Sequence, residues 1–516
     1  MLQNKEGWLA AEGKEMKAHE RNNSWTVISR HDVPVGRSII RMLWVYKIKR
    51  DGTLKARLCV MGSAQRPGID FDQTYCATMR ASSLRLLAAI SALLSLSMWR
   101  IDFVSAYLQG KLEEGEVVFC KMPDGYETTG PDGRPNVLRI EKPIYGLAQA
   151  GRRWQRSIFP WLICFGFTQS RFDSCVFFKR KQVNNREEVI LLGCYVDDLL
   201  VCASHSDEAS MFSEFVSKLS ADWEIEKEGE AVDLLNVHFK RTDNGVYLHQ
   251  RPYIESMISK YAPDGVPLSF QRNWAPCSGD LPELVRRAMS DAAARDPAEI
   301  KRYQSIVGAL LYCATNTRPD VAYSVGMLCR AMSKPTKALH DAALRVLYYL
   351  ARHADIGLHY EADPTAIVAY SDSDLGTQHS TTGWDVCWQR ASISFGSKKQ
   401  VSVATSSCHA EIIAASEAAK EAKFYREFAE ELGFPQTEPT PLLVDNSATV
   451  DLAYNPEFHN RTKHIDRRHF YVRELVEDHV LNVKYVNTTE NLADFFTKPL
   501  PPKSFFAMRN KIMNVH

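Results

Sequence analysis

Residues 189–203 read VILLGCYVDDLLVCA. Two apolar runs of strand length flank Tyr195-Val196-Asp197-Asp198, the pattern of a tight β-hairpin with two adjacent carboxylates at its tip. Adjacent carboxylates repel one another, so this placement is rewarded where a cation sits between them, while a solvated turn is the plainer alternative. Upstream, WRIDF at 99–103 reads as a second buried strand with Asp102 near its end. Three carboxylates from two neighbouring strands suit a pair of divalent ions arranged for in-line nucleotidyl transfer.

Working outward, residues 24–61 alternate apolar and polar positions around Asp51-Gly52, which predicts a hairpin. Seven basic residues stand between Arg37 and Arg57 against one acid, a ribbon suited to phosphate. The run from Ser82 to Met98 has helical spacing. Four prolines and two glycines between Pro263 and Pro282 mark a linker, and a helical stretch follows over 299–353. Beyond Asp363-Pro364 come a strand (AIVAYSD), a strand pair, a helix from about Ser407 to Leu432, a strand (PLLVD), a helix and a late strand (LNVKYVNT), which predicts a compact mixed α/β domain. Asp372 ends the first of these strands, Glu411 lies one turn into the helix, Asp445 ends PLLVD, and Asp494 sits in NLADFFTKPL. Acids at strand ends and on a facing helix converge readily into a two-metal site that activates water against a phosphodiester, although each alone is more often a cap or a surface acid.

The 516 residues exceed one ordinary core, and 45% hydrophobic with 24% charged residues is soluble globular usage, which excludes a collagenous or largely disordered protein. A formal charge of +1 means that nucleic acid is held by local basic patches and not by a global field. The twelve cysteines contain no C-x-x-C pair, so neither a zinc knuckle nor a disulfide framework is expected. No apolar stretch reaches the length of a membrane span and the N-terminus has no apolar signal core, so no membrane association and a cytoplasmic location are expected.

GCYVDDLLVCA resembles the Tyr-x-Asp-Asp box of reverse transcriptases, and WRIDFVSAYLQGKLEEGEV resembles the palm strand of the Ty1/copia class of retrotransposons. DGTLKARLCVMG, GIDFDQTY, IEKPIYGLAQAGRRW, VGALLYCATNTRPDVAYSV and RVLYYL are similar to the same class and stand in its order. SDSD, the S-S-x-x-A-E helix start, VDNSA, RTKHID and AD-x-x-TK resemble its RNase H segment. The resemblance implies an α+β chain: a right-hand polymerase of fingers and palm over 1–262, a linker, thumb-like and helical connection over 263–365, and an RNase H-like α/β domain over 366–516. It implies RNA-directed DNA synthesis together with cleavage of the RNA strand of a hybrid. The rivals are a lapsed or domesticated relic that only binds nucleic acid, and a stand-alone nuclease.

Carried over by position, Asp102, Asp197 and Asp198 match the polymerase metal ligands, and Asp372, Glu411, Asp445 and Asp494 match those of the nuclease. All-carboxylate ligand sets favour Mg²⁺, with Mn²⁺ as the substitute, two ions per centre. Tyr107 falls where a ring lies under the incoming sugar and excludes a 2′-hydroxyl, with a core tyrosine as the alternative. Gln149, Lys55 and Arg57 match positions that touch the incoming nucleotide, Tyr195 of the box is a further substrate-binding position, and His464, in a basic stretch with aromatics over 458–473, matches an auxiliary in proton transfer or product release. The implied partners are an RNA template, a DNA primer, their hybrid and dNTPs, in virus-like particles with access to the nucleus. With no Asp-[Ser/Thr]-Gly and no His-His-Cys-Cys signature here, protease and integrase are expected on other chains or absent. Four positions depart from the class pattern: His409 replaces an acid, Ile412 an aromatic, Leu375 a Trp, and Asn236 a Gly.

Overall fold

The Asp-Asp hairpin forms where its apolar runs predict: strand Arg186–Tyr195 pairs antiparallel with Asp198–Ala203, Tyr195 opposite Asp198. Residues 189–194 and 199–203 are all buried while 195–198 are half-buried, so the strands are covered on both faces and the tip meets solvent. A computed structural model of the chain describes residues 4–49, 52–363, 365–375, 379–454 and 466–515. Two compact units divide it, residues 1–79 with 99–229 and residues 80–98 with 230–516, each a mixture of helix and sheet.

In the first unit the hairpin belongs to a six-stranded sheet ordered Ile225–Glu230, Ser97–Phe103, Asp198–Ala203, Arg186–Tyr195, Val176–Val183, Thr168–Gln169. Helix Ala150–Cys164 places the fully buried Trp154 edge-on to Phe103, with ring centroids 4.7 Å apart. The basic ribbon is the antiparallel pair Met42–Ile48 and Leu54–Val60. Its inward residues Met42, Leu58 and Val60 join Ile40, Leu108, Val118 and Leu138 in a core. Gly146 has φ +92°, and a Cβ there would sit 2.1 Å from the Val60 carbonyl, so only glycine lets this turn reach the ribbon.

The second unit carries a five-stranded sheet ordered Ala391–Lys399, Thr381–Trp388, Val368–Asp374, Thr440–Val444, Leu481–Tyr485, antiparallel over its first three strands and parallel over its last three. The expected helix after it is Ser407–Glu431, and the expected helical stretch resolves into Pro297–Asn316, Ala322–Cys329 and Lys337–Arg352.

These units differ from the boundaries expected at 262/263 and 365/366, and the reason is packing. Helix Ala81–Leu93 buries its side chains against strands Gly245–His249, Leu358–Glu361 and Ala391–Lys399. Its buried Arg85 donates to the carbonyls of Thr315 (2.7 Å), Asn316 (2.7 Å) and Ile393 (2.9 Å) and lies over the Phe395 ring. Strand Gly245–His249 in turn pairs with Leu358–Glu361, so residues past 230 cannot be separated from the C-terminal part. Asn236, where the class has glycine, takes φ +58°, a left-handed conformation that asparagine tolerates better than most residues.

Candidate catalytic centres

In the first unit, strand Ser97–Phe103 lies beside Asp198–Ala203, and the Phe103 amide donates to the Asp197 carbonyl (2.9 Å). Asp102 and the Asp197-Asp198 tip are therefore neighbours on adjoining strands. Val196, between Tyr195 and Asp197, takes φ +57°, which a β-branched residue adopts only under constraint. The constraint is visible: the Trp154 indole N–H donates to the Val196 carbonyl (2.6 Å), clamping the tip to the helix beneath it. Asp198 accepts from Arg100 (Nη2 to Oδ1 2.8 Å, Nε to Oδ1 3.0 Å). Sequence reasoning passed over Arg100. The signal was its place two residues before Asp102, which puts both side chains on one face of the strand.

Tyr107 is half-buried and stands edge-on to Tyr145 at 4.7 Å, and burial followed by the Asp197 charge raises the pKa of its hydroxyl. Arg57 lies over the Tyr145 ring at 4.8 Å. Burial lowers the pKa of Lys55, as do the charges of Arg57 and Lys49, while Glu15 and Asp102 oppose. Lys55 thus feels the charges of Arg57 and Asp102, and Tyr107 those of Asp197 and Arg57. Gln149 is fully buried, accepts from Gln65 Nε2 (3.0 Å) and donates to the Asp70 carbonyl (3.3 Å).

The second unit gathers its acids more tightly. One carboxylate oxygen from each of Asp372, Glu411 and Asp445 lies within 4.8 Å of the others, the one such group among the described residues. The parallel register Ser371 to Val444 carries Asp372 and Asp445 out of the sheet side by side. Ser406 caps the helix by accepting from the His409 amide (3.1 Å), which sets Glu411 one turn in, where it accepts from the Ser373 hydroxyl (2.8 Å). His409, where the class has an acid, is turned to Thr405.

Asp494 arrives on the turn Leu492–Phe496, which Asn491 fastens to the sheet by donating to the Ser371 carbonyl (2.9 Å). Gly383, opposite Asp372, admits this turn: a Cβ there would sit 2.6 Å from Thr497 Cγ2 and 2.7 Å from the Ala493 carbonyl. Leu375 is half-exposed and Ile412 buried, and neither displaces an acid. His464 lies outside the described residues.

Burial and the neighbouring Asp372 charge push the Glu411 carboxyl up to about 8, against the Ser373 hydrogen bonds. The same causes push Asp494 up to about 7, against Lys498, and raise Asp445. Glu411 Oε2 and Asp494 Oδ1 are buried without a hydrogen-bond partner among the described residues. The Asp372, Glu411 and Asp445 group, of which Asp494 is not a member, fits a hard divalent cation, because the charge that disfavours ionisation is what such a cation offsets.

A carboxyl whose folded pKa is raised binds its proton more tightly folded than unfolded, so its ionisation destabilises the fold. The contribution is least costly below about pH 4, and stability is lost as pH rises toward about 8. In EDTA the melting temperature is expected to fall between about pH 5 and pH 8.5, and Glu411→Gln should shrink that fall. An unchanged slope in Glu411→Gln would show that Glu411 does not carry the effect.

Residues 22–265 match the family described as reverse transcriptase (RNA-dependent DNA polymerase). Over 98% of its length the chain is 30% identical to the retrovirus-related Pol polyprotein from transposon TNT 1-94 of Nicotiana tabacum and 31% identical to that from transposon RE2 of Arabidopsis thaliana. Over 99% of its length it is 26% identical to the transposon Ty1-GR3 Gag-Pol polyprotein of Saccharomyces cerevisiae. It spans 38%, 34% and 29% of those three proteins. A solved foamy viral protease-reverse transcriptase in complex with dsDNA aligns over 93% of this chain at 10% identity and a TM-score of 0.48. Among the described residues no helix is long and apolar enough to cross a membrane.

Proposed function

We propose that this chain, whose residues 22–265 match the reverse transcriptase family, is an RNA-directed DNA polymerase that also cleaves the RNA strand of an RNA/DNA hybrid. The observation that carries this reading is the pairing of Asp102 with the clamped Asp197-Asp198 tip on adjoining strands inside the matching stretch. The converging acids within 366–516 supply the second activity.

Asp102, Asp197 and Asp198 are the residues to hold divalent ions at the polymerase centre, and Asp372, Glu411, Asp445 and Asp494 those at the nuclease, with Mg²⁺ favoured by the all-oxygen donors and two ions per centre the proposed complement. Such an ion, when bound, lowers the pKa of the attacking hydroxyl or water and offsets charge on the phosphate. Lys55 and Arg57 on the basic ribbon hold the triphosphate of an incoming dNTP, and Tyr195 at the tip is a further substrate-binding residue. Tyr107, braced by Tyr145, closes the space under the sugar. At the nuclease the Ser373 hydroxyl fixes one Glu411 oxygen, while the other is buried without a hydrogen-bond partner among the described residues. The partners are an RNA template, a DNA primer and their hybrid, and the setting is the cytoplasm, in virus-like particles.

The test is extension of oligo(dT) on poly(rA) by the purified chain with dTTP or UTP. Extension with dTTP is expected, with UTP strongly disfavoured. Because exclusion of one hydroxyl needs a rigid ring, Tyr107→Ala should raise the UTP/dTTP ratio of kcat/KM by about tenfold or more. A ratio that does not move would make Tyr107 a core residue, and a wild-type chain that extends nothing would leave the nucleic-acid-binding relic as the better reading.

A further inference from the structure

The run Ala493-Asp494-Phe495-Phe496-Thr497-Lys498 brings three polar side chains to the carboxylate cluster, of which the reading above uses only Asp494. The Thr497 hydroxyl makes a short hydrogen bond to Asp372 Oδ2. The Lys498 ammonium stands 2.9 Å from Asp494 Oδ2 and 4.0 Å from Asp372 Oδ2. Asp372 and Asp494 are 3% exposed and Lys498 is about one-third exposed, so a cation on a flexible stem enters the cluster from its solvent side.

We propose that Lys498 is a positioning residue whose ammonium is a resident cation of the cluster, holding Asp494 beside Asp372 until a divalent ion displaces it. The inference rests on the nuclease reading. An ammonium and a divalent ion repel each other and compete for the same carboxylate oxygens, so the two cannot both hold Asp494 Oδ2 at full strength. Lysine suits the exchange: its charge is a single point on a four-carbon stem that can swing to water, unlike the planar fork of arginine. The i to i+4 spacing within one tight turn keeps Lys498 close enough to return when the ion leaves. Between turnovers the acids are thereby spared part of their mutual repulsion.

The test is Mn²⁺ binding to the full chain carrying Asp197→Asn, which removes the polymerase centre as a competing site, followed by the electron paramagnetic resonance of free Mn²⁺. Lys498→Met should bind Mn²⁺ about fivefold or more tightly than the parent, because the competing charge is gone. Lys498→Arg, which keeps the charge on a fork that swings away less readily, should bind no more tightly than the parent. Lys498→Gln should repeat the Lys498→Met result, so that misfolding of one neutral variant, checked by circular dichroism, does not decide the matter. Unchanged or weaker binding by the folded neutral variants would overturn the inference and leave Lys498 a structural clasp. Loss of Mn²⁺ binding in Asp372→Asn alongside that result would show that the metal-site reading survives. If Asp372→Asn binds as well as the parent, the metal-site reading itself fails.

Discussion

Asp372→Asn, and likewise Glu411→Gln, is expected to lose cleavage of the RNA strand of a hybrid by about a thousandfold or more while still extending a primer. Asp372 is the hub of the C-terminal cluster: it lies within reach of Glu411, Asp445 and Lys498, and its charge is among the causes raising the pKa of Glu411, Asp445 and Asp494. Neutralising it removes a ligand and rearranges what the others hold. Nothing in the polymerase centre depends on it, since Asp102, Asp197 and Asp198 all lie in the other unit. Hydrolysis of a labelled RNA/DNA hybrid and extension on poly(rA), measured on the same preparation, read the two activities. Loss of both in a folded protein would mean that the C-terminal acids are structural or that one centre serves both reactions.

Asp198→Asn is expected to abolish primer extension, with a loss of about three orders of magnitude, and to leave hybrid cleavage near the parental rate. Asp198 bears on two cations at once: it accepts from Arg100 and, on the reading above, holds a divalent ion with Asp102 and Asp197. An amide keeps the shape but takes away the charge on which both rely, and it weakens the ion pair between this carboxylate and the part-buried Arg100 guanidinium. Hybrid binding measured by fluorescence anisotropy should change little if, as proposed, phosphate is held by basic side chains such as those of the ribbon and not by this carboxylate. Extension at the parental rate would remove Asp198 from the metal site.

Elements with strong local patterns were legible in the sequence, and those made by long-range packing were not. The Asp-Asp hairpin was written in two apolar runs, and helix Ser407–Glu431 in its serine cap and alanine-rich face. Helix Lys5–Arg21 went unread because its one buried residue is His19, so no apolar stripe marks it. Helix Ala81–Leu93 was legible as a helix but not in its allegiance, since Arg85 finds its carbonyl partners more than two hundred residues away.

At the sites, the acids were legible as separated motifs, whereas their partners were not. Arg100 and Thr497 act through the spatial neighbours that strand order and a tight turn bring to them. Gln149 stands in a motif whose glycine serves the turn, and its amide contact with Gln65, eighty-four residues away in the chain, is one that no local pattern announces.

The central claim is that one chain synthesises DNA on RNA and degrades the RNA with two separate sets of acids. Its most direct test is a single substrate, a 5′-labelled DNA primer on a differently labelled RNA template, incubated with the purified full chain, dNTPs and Mg²⁺ while both strands are followed. The parent is expected to lengthen the primer and shorten the template, Asp198→Asn only to shorten the template, and Asp372→Asn only to lengthen the primer. A parent chain that binds this hybrid and changes neither strand would contradict it.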